Sequence, residues 1–305
     1  MIKDNCKEKR EHGNFLLPLG IYNVSLGNIE KSIIAHWHNE IELILVLSGE
    51  FNLKINADSY TCKDGDIILI NSGSLHYFST KENESSTWNS IVFNMDQLNS
   101  NILDNCSVNF ITPIINNEFK LPVIIHKDSP INNELKCIIL NIIDTYNSKY
   151  YGFELEIKSL IFKYFSLLFK FNLVKKKTNN TCLNEEKIEK IKIVLEYIQE
   201  NYNKEIDINR LSAICHYNQS HFMRFFKKHT GKTCIQFIKN YRLEKAASLI
   251  SNTDLSITEI SLEVGFTNIS YFIRSFKEKY NTTPKGFKTR KFFFNIYLLV
   301  RKLTH

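Results

Sequence analysis

Residues 218–228, NQSHFMRFFKK, and residues 268–278, NISYFIRSFKE, are two copies of one pattern set 50 positions apart. Asn218/Asn268, Ser220/Ser270, Phe222/Phe272, Arg224/Arg274, Phe226/Phe276 and Lys227/Lys277 are identical pairs. Phenylalanines four apart make a single apolar stripe on a helix, so each copy reads as a helix buried along its Phe222/Phe226 or Phe272/Phe276 side. Ser220 and Arg224, like Ser270 and Arg274, fall on another face near the helix start, where they are left to point outward.

Upstream of each copy the sequence predicts a shorter helix and a tight turn. The first helix runs from Asp207, a good N-cap, to Cys215 and is followed by His216-Tyr217-Asn218. The second opens on Ser256-Ile257-Thr258-Glu259, a capping box, and ends at Gly265. Helix, short turn and helix, with an arginine early in the second helix, is the helix-turn-helix pattern of DNA-binding proteins. Between the two units Thr233-Cys234-Ile235-Gln236 is another capping box. The helix it opens runs to about Ile250, with Leu243, Ala246, Ala247 and Ile250 on one face. At about 1.5 Å per residue such a helix spans roughly 27 Å, enough to hold two recognition helices about one DNA turn apart.

Charge points to the same half. Residues 186–305 carry 21 Lys and Arg against 11 Asp and Glu, a net of +10, whereas residues 1–185 have a net of −3. Of the seven arginines only Arg10 lies outside the basic half. Arginine supplies the planar fork that reads guanine or clamps phosphate, so its confinement marks the part of the chain that meets a polyanion.

Residues 187–291 resemble the DNA-binding domain of the AraC/XylS family of transcription regulators, and the stretch from Ile257 to Pro284 is close to that family's signature. The resemblance implies base-facing positions at Ser220, Met223 and Arg224 in the first unit, and at Ile269, Ser270, Ile273 and Arg274 in the second, with Lys227 and Lys277 beside them. Departures are Asn281 where glycine is usual, Ser212 and Ser261 in place of alanine, and Phe287-Lys288 for the usual Tyr-Arg. Met223, Ile269 and Ile273 stand where polar readers are common; apolar side chains there can contact thymine methyls, or discriminate bases less.

The first half has a different grammar. From about residue 15 to 112 it reads as short strands and turns. Ile41–Leu47 is an apolar run ended by Ser48-Gly49, Phe51–Ile55 alternates, and Asp64-Gly65-Asp66 and Ser72-Gly73-Ser74 are turns around Ile67–Ile70. Residues 131–147 and 153–174 switch to helical periodicity, with Leu135, Ile138, Ile139 and Ile142 on one face. The expected division is a β-barrel at 1–115, a helical dimerisation segment at 116–174, a linker at 175–186, the DNA-binding domain at 187–291, and an apolar tail of unassigned role at 292–305.

His36, His38 and Glu42, followed by Gly49, then Gly65, Gly73 and His76, resemble the two motifs of the cupin fold, with Asn71 where proline is usual. The resemblance implies a cupin-like double-stranded β-barrel, the common sensory domain of AraC-type regulators. The fold class expected is therefore mixed and two-domain: a cupin-like barrel followed by helices, then an all-α domain with two helix-turn-helix units. His36, His38, Glu42 and His76 would converge inside the barrel, either lining an effector pocket, or binding a divalent metal, or serving structure alone. The other histidines, including His126, His216, His221 and His229, read as structural or surface groups.

No P-loop, nucleophile elbow or zinc-ribbon spacing is present, so a non-enzyme without a resident cofactor is expected. The seven cysteines form no CxxC pair, the N-terminus is polar and charged through Glu11, and Leu160–Val174 is interrupted by Lys163 and Lys170. These features lead to an expectation of a cytoplasmic protein without a signal peptide or membrane span. The function expected is a sequence-specific regulator, an activator by family resemblance, responding to a small-molecule effector. Its partners would be double-stranded DNA, RNA polymerase and a second copy of the chain. Two alternatives stay open: a metal-dependent cupin enzyme fused to a DNA-binding domain, and a constitutive regulator whose barrel only dimerises.

Overall fold

The computed structural model describes residues 7–8, 12–14, 16–27, 32–81, 84–100, 104–177 and 182–288. The chain divides into two compact units, residues 8–186 and residues 187–305 with 1–7.

The first unit holds β1 (Leu19–Leu26), β2 (Ser32–His36), β3 (Ile41–Ser48), β4 (Glu50–Ile55), β5 (Asp58–Lys63), β6 (Ile67–Ile70), β7 (His76–Ser79) and β8 (Ser86–Phe93). After them come the short helix α1 (Thr112–Ile115), the two-residue strands β9 (Phe119–Lys120) and β10 (Ile124–Ile125), the helices α2 (Asn132–Ser148) and α3 (Phe153–Lys170), and β11 (Lys175–Lys176). One sheet has the order β1-β8-β3-β6-β10 and faces a second of order β2-β7-β4-β5. All of these pairings are antiparallel, giving a cupin-like double-stranded barrel.

Strand β3 shows how the layers arise. Ile44 and Val46 point between the sheets, among Ile68, Ile70, Phe51, Phe78 and Trp88. Leu43 and Leu45 point the other way, into a second core closed by Leu135, Ile139 and Ile142 of α2 and Ile161, Phe165 and Leu168 of α3. A strand buried on both faces cannot alternate, which is why IELILVL reads as an unbroken apolar run with one charge in it. Trp88 lies 4.7 Å from the Phe51 ring and 5.2 Å from Phe78. Each such fully buried aromatic contributes about 1.5–3 kcal/mol.

Two local devices matter for the site. The β2–β7 register slips between Ile33↔Phe78 and His36↔His76, so a bulge lies in β2. Gly49 turns the chain from β3 to β4 at φ 80°, and a Cβ there would sit 2.1 Å from the Ser85 carbonyl oxygen.

Two boundaries differ from the sequence reading. The barrel sheet does not end at 115, because β10 pairs with β6 through Ile124↔Ile68 and Ile125↔Ile67. Nor does a free linker begin at 175, since Lys175 and Lys176 pair with Lys120 and Phe119, and α4 already starts at Cys182. Ladder hydrogen bonds come from the backbone, so a lysine pair can add a strand rung that no side-chain pattern announces.

The second unit contains α4 (Cys182–Asn201), α5 (Ile208–Ile214), α6 (Gln219–Thr230), α7 (Cys234–Asn252), α8 (Ile257–Glu263) and α9 (Ile269–Tyr280). The five helices after α4 start on side-chain caps: Asp207 for α5, Asn218 for α6 and Asn268 for α9, with full capping boxes at Thr233/Gln236 and Ser256/Glu259 for α7 and α8. Helix α7 serves both helix-turn-helix units: Phe237 meets Phe226 of α6 at 5.5 Å, while Leu243, Ala246 and Ile250 pack with Ile260, Phe272 and Phe276. Asn281 adopts the left-handed conformation at φ 53° as the C-cap of α9, so it takes the role of the glycine usual there. The tail at 292–305 lies outside the described residues.

Candidate nucleic-acid face and barrel cluster

The two turns are built alike, yet not identically. In the first, His216 N–H donates to the Ala213 carbonyl at 3.0 Å and Tyr217 N–H to Ser212 at 3.0 Å; in the second, Gly265 donates to Leu262 and Phe266 to Ser261, both at 2.9 Å. His216 and Gly265 both have positive φ, 57° and 86°. The first helices and turns therefore match at an offset of 49, and Thr267 is one extra residue before the offset becomes 50 at Asn268. Only the second turn demands glycine for space, because a Cβ on Gly265 would sit 2.8 Å from the backbone of Asn203.

These turns fix which faces of α6 and α9 are open. Phe222 and Phe226, and Phe272 and Phe276, are fully buried. Ser220, Arg224 and Lys227 are exposed with Met223 half-buried, and Ile269, Ser270, Ile273, Arg274 and Lys277 are exposed. Among the described residues Arg224, Lys227 and Lys277 carry no ion pair or side-chain hydrogen bond; Arg274 has only the Tyr271 ring, 5.6 Å away. Two other arginines of this unit are engaged in the fold. Arg242 donates to the carbonyls of Tyr202 and Lys204 at 2.6 and 2.8 Å, and Arg210 lies over the Tyr197 ring at 5.0 Å. Confinement of arginine to this half thus has two causes, and only Arg224 and Arg274 belong to the recognition helices.

In the barrel, β2, β3 and β7 bring His36, His38, Glu42 and His76 together. One ring nitrogen from each of the three histidines lies within 4.8 Å of the other two. Glu42 Oε2 lies 3.4 Å from His38 Nε2 and 3.3 Å from His76 Nε2. The far side of each ring is fastened: Nδ1 lies 2.8 Å from the Ile34 carbonyl for His36, 3.0 Å from Glu40 for His38 and 2.8 Å from Ser74 for His76. A carbonyl only accepts, so each Nδ1 donates, and in the neutral rings Nε2 keeps its lone pair.

Burial pushes Glu42 up, but hydrogen bonds and charge from His38 and His76 overcome this and hold it well below the ordinary carboxylate range. Burial pushes His38 down, and its hydrogen bond to Glu42 with the charge of that carboxylate reverses the shift and raises it. His36 is lowered to about 3, by burial first and then by His76 and His38, and is therefore neutral. His36 as a residue is half-buried, while His38 and His76 are buried.

Three side chains of this cluster are absent from the sequence reading. Ser90 of β8 donates to Glu42 Oε1 at 2.5 Å, His12 lies 5.8 Å from the His38 ring, and Tyr22 of β1 is 2.9 Å from His12 Nδ1. No sequence motif marks them; the β1–β8–β3 register sets Tyr22 opposite Ser90 and Ser90 opposite Ile44, and His12 is held by Tyr22. The other histidines stand elsewhere: His126 near Asp66 at 3.3 Å, His221 against Tyr217 and His229 buried against Phe225. Burial pushes the thiols of Cys62 and Cys234 up to about 12, as inert core groups. Among the described residues no helix is long and apolar enough to cross a membrane.

The chain is 28% identical over 304 residues to the HTH-type transcriptional regulator YdeC of Bacillus subtilis, covering 94% of this chain and 97% of that one. It is 33% identical over 113 residues to the Bacillus subtilis bifunctional transcriptional activator/DNA repair enzyme AdaA, covering 37% of this chain and 52% of that one. A crystal structure of ToxT from Vibrio cholerae is similar at 15% identity and a TM-score of 0.44, covering 88% of this chain and 94% of that one. The model of an AraC-like ligand binding domain matches residues 18–160, and that of a helix-turn-helix domain matches residues 211–290. Barrel, paired helix-turn-helix units and both matches in this order agree: the chain belongs to the AraC family of transcription regulators.

Proposed function

We propose that this transcription regulator binds promoter DNA through Ser220, Met223, Arg224 and Lys227 of α6 and Ile269, Ser270, Ile273, Arg274 and Lys277 of α9, under the control of a small molecule sensed in the barrel. The observation that carries the reading is the duplicated exposed face: two helices with equivalent asparagine caps, similar preceding turns and the same exposed Arg and Lys without a carboxylate partner. An unpaired guanidinium on an exposed helix start is available for a guanine edge or a phosphate. Apolar Ile269 and Ile273 suit thymine methyls, so the two half-sites differ in sequence.

The regulator acts as a homodimer that recruits RNA polymerase and activates transcription. Pairing of two chains through α2 and α3 raises affinity through effective concentration on neighbouring sites. Leu140 of α2, Leu155 and Phe162 of α3 and Tyr151 of the turn between them leave large side chains exposed, which supports the choice of surface. The barrel's residues 1–115, extended to β10, form the sensing body, and His36, His38, Glu42 and His76 line its site. The barrel senses and does not catalyse; the full-length similarity to a transcriptional regulator supports that choice.

Selection of duplexes from a random library by the full chain tests the reading. Enriched sites should hold two unlike segments about one helical turn apart, and Arg224→Ala and Arg274→Ala should each relax one of them. Enrichment of no sequence, or loss of neither segment in the variants, would overturn it.

A further inference from the structure

The 28 residues from Ile157 to Asn184 contain six lysines and no acidic residue, within a half of the chain whose net charge is −3. Lys175-Lys176-Lys177 is the only run of three lysines in the sequence. The fold gives this run a fixed backbone. Lys175 and Lys176 pair with Lys120 and Phe119 as the ribbon β9–β11, and the Lys177 N–H extends it by donating to the Glu118 carbonyl at 2.9 Å. Two paired residues per strand hold little by themselves. Anchorage comes from buried Phe119, whose ring meets Phe169 of α3 at 5.3 Å, and from Leu173 and Val174, which pack on the same core.

Nothing in that anchorage asks for lysine at the exposed positions. Residues directly opposite on paired antiparallel strands share one face, so Lys120 and Lys175 set two ammonium groups side by side, which opposes the pairing. Both are exposed and, among the described residues, neither takes part in an ion pair or side-chain hydrogen bond. Glu118, two positions from Lys120, has its carboxylate on the Asn116 amide at 3.2 Å. A like-charged pair kept on so short a ribbon, with no counter-charge supplied by the fold, is complementary to a partner that brings repeated negative charge itself.

We propose that Lys120 and Lys175 grip the phosphate backbone of duplex DNA beside the segments read by α6 and α9. Cβ atoms on such a cross-strand pair stand about 4.5–5.5 Å apart, and the flexible stems let the two ammonium groups reach neighbouring phosphates. Lysine is a compact point charge that suits phosphate oxygens, and no arginine stands between Arg10 and Arg210 to read a base. The ribbon is also close to the DNA-binding unit along the chain. Lys177 precedes the start of α4 at Cys182 by five residues, a reach of at most about 18 Å, and α4 leads into the second unit. The inference rests on the chain being a DNA-binding regulator, yet not on which bases α6 and α9 read.

The test titrates the full chain with the selected duplex, and with an unrelated duplex of equal length, at several salt concentrations. Each phosphate contact contributes about 0.9 to the slope of log affinity against log salt, so Lys120→Gln with Lys175→Gln should lower that slope by about 2 on both duplexes. The sequences enriched from a random library should not change, because phosphate contacts carry no sequence information. Lys63→Gln with Lys81→Gln removes the same charge from two lysines already paired with Glu50 and should leave the slope in place. Lys175→Glu separates contact from fold: opposite Lys120 it makes an attractive pair, so the Tm of the barrel unit should hold or rise while affinity for DNA falls. An unchanged slope in the folded double variant, or an equal fall in the Lys63 and Lys81 control, overturns the site. So does loss of binding to phosphatidylserine vesicles with no change on DNA, which would make the ribbon a membrane contact instead.

Discussion

The barrel cluster and the recognition faces are both polar, and they treat polarity in opposite ways. In the barrel Glu42 is enclosed, paired with two histidines and held by Ser90. On α6 and α9 the charges of Arg224, Lys227 and Lys277 stand in solvent without a partner. Removing a group from the first should disturb the fold around it, because the remaining polar atoms stay buried. Removing one from the second should leave stability almost untouched and change only what is bound. A buried polar group reports through stability, and an exposed unpaired one reports through its partner.

Both tryptophans, Trp37 and Trp88, belong to the barrel unit, so their fluorescence follows that unit while far-ultraviolet dichroism weights the helices. The largest effect is expected in the helical unit. Phe276→Ala, deleting a fully buried ring stacked on Phe272, Tyr280 and Phe287, should cost about 3–5 kcal/mol in the dichroism transition in urea. The tryptophan transition should not move; a shift of both would break the division into two units.

Next comes Glu42→Ala, expected to lower the tryptophan transition by about 3 kcal/mol, because the buried His38 and His76 rings lose the carboxylate that faces both of them. Unchanged stability would show that the cluster is not satisfied through Glu42. Arg224→Ala and Arg274→Ala should each cost about 1–3 kcal/mol of affinity for the selected duplex while both unfolding transitions stay in place. Additive losses in the double variant would sharpen the contrast with the interlocked barrel cluster. The smallest effect is expected at Asn281. Asn281→Ala in the left-handed region should cost about 1 kcal/mol, and Asn281→Gly should be neutral or stabilising, both read from thermal melts.

Much of the helical unit was legible because its signals are local. Capping boxes at Ser256/Glu259 and Thr233/Gln236 span four residues, and the Phe222/Phe226 stripe spans one turn, so neither depends on the rest of the chain. The barrel was legible as far as motif spacing goes: His36, His38, Glu42 and His76 do meet. What surrounds them was not. Ser90 reaches Glu42 because of the β3–β8 register, and the anchoring of each Nδ1 depends on which carbonyl the turn presents. The two-residue strands β10 and β11 are too short to show any period. The extra Thr267 has no signal of its own, because the eleven-residue copy that follows it matches the first so well.

The bulge in β2 has a consequence for how this barrel tolerates change. Ile33 and His36 are three residues apart, an odd number, yet both face the interior: Ile33 packs with the inter-sheet core and His36 with His76. Side chains of an unbroken strand swap faces at every step, so that spacing would send one of them out. The slipped register supplies the missing step. Substitutions within 33–36 alter one side chain at a time, whereas losing a single residue there acts as a frameshift in space. It would keep every downstream side chain in the sequence while turning His36 away from its three companions. Length in this short segment, more than identity, is what keeps the cluster assembled.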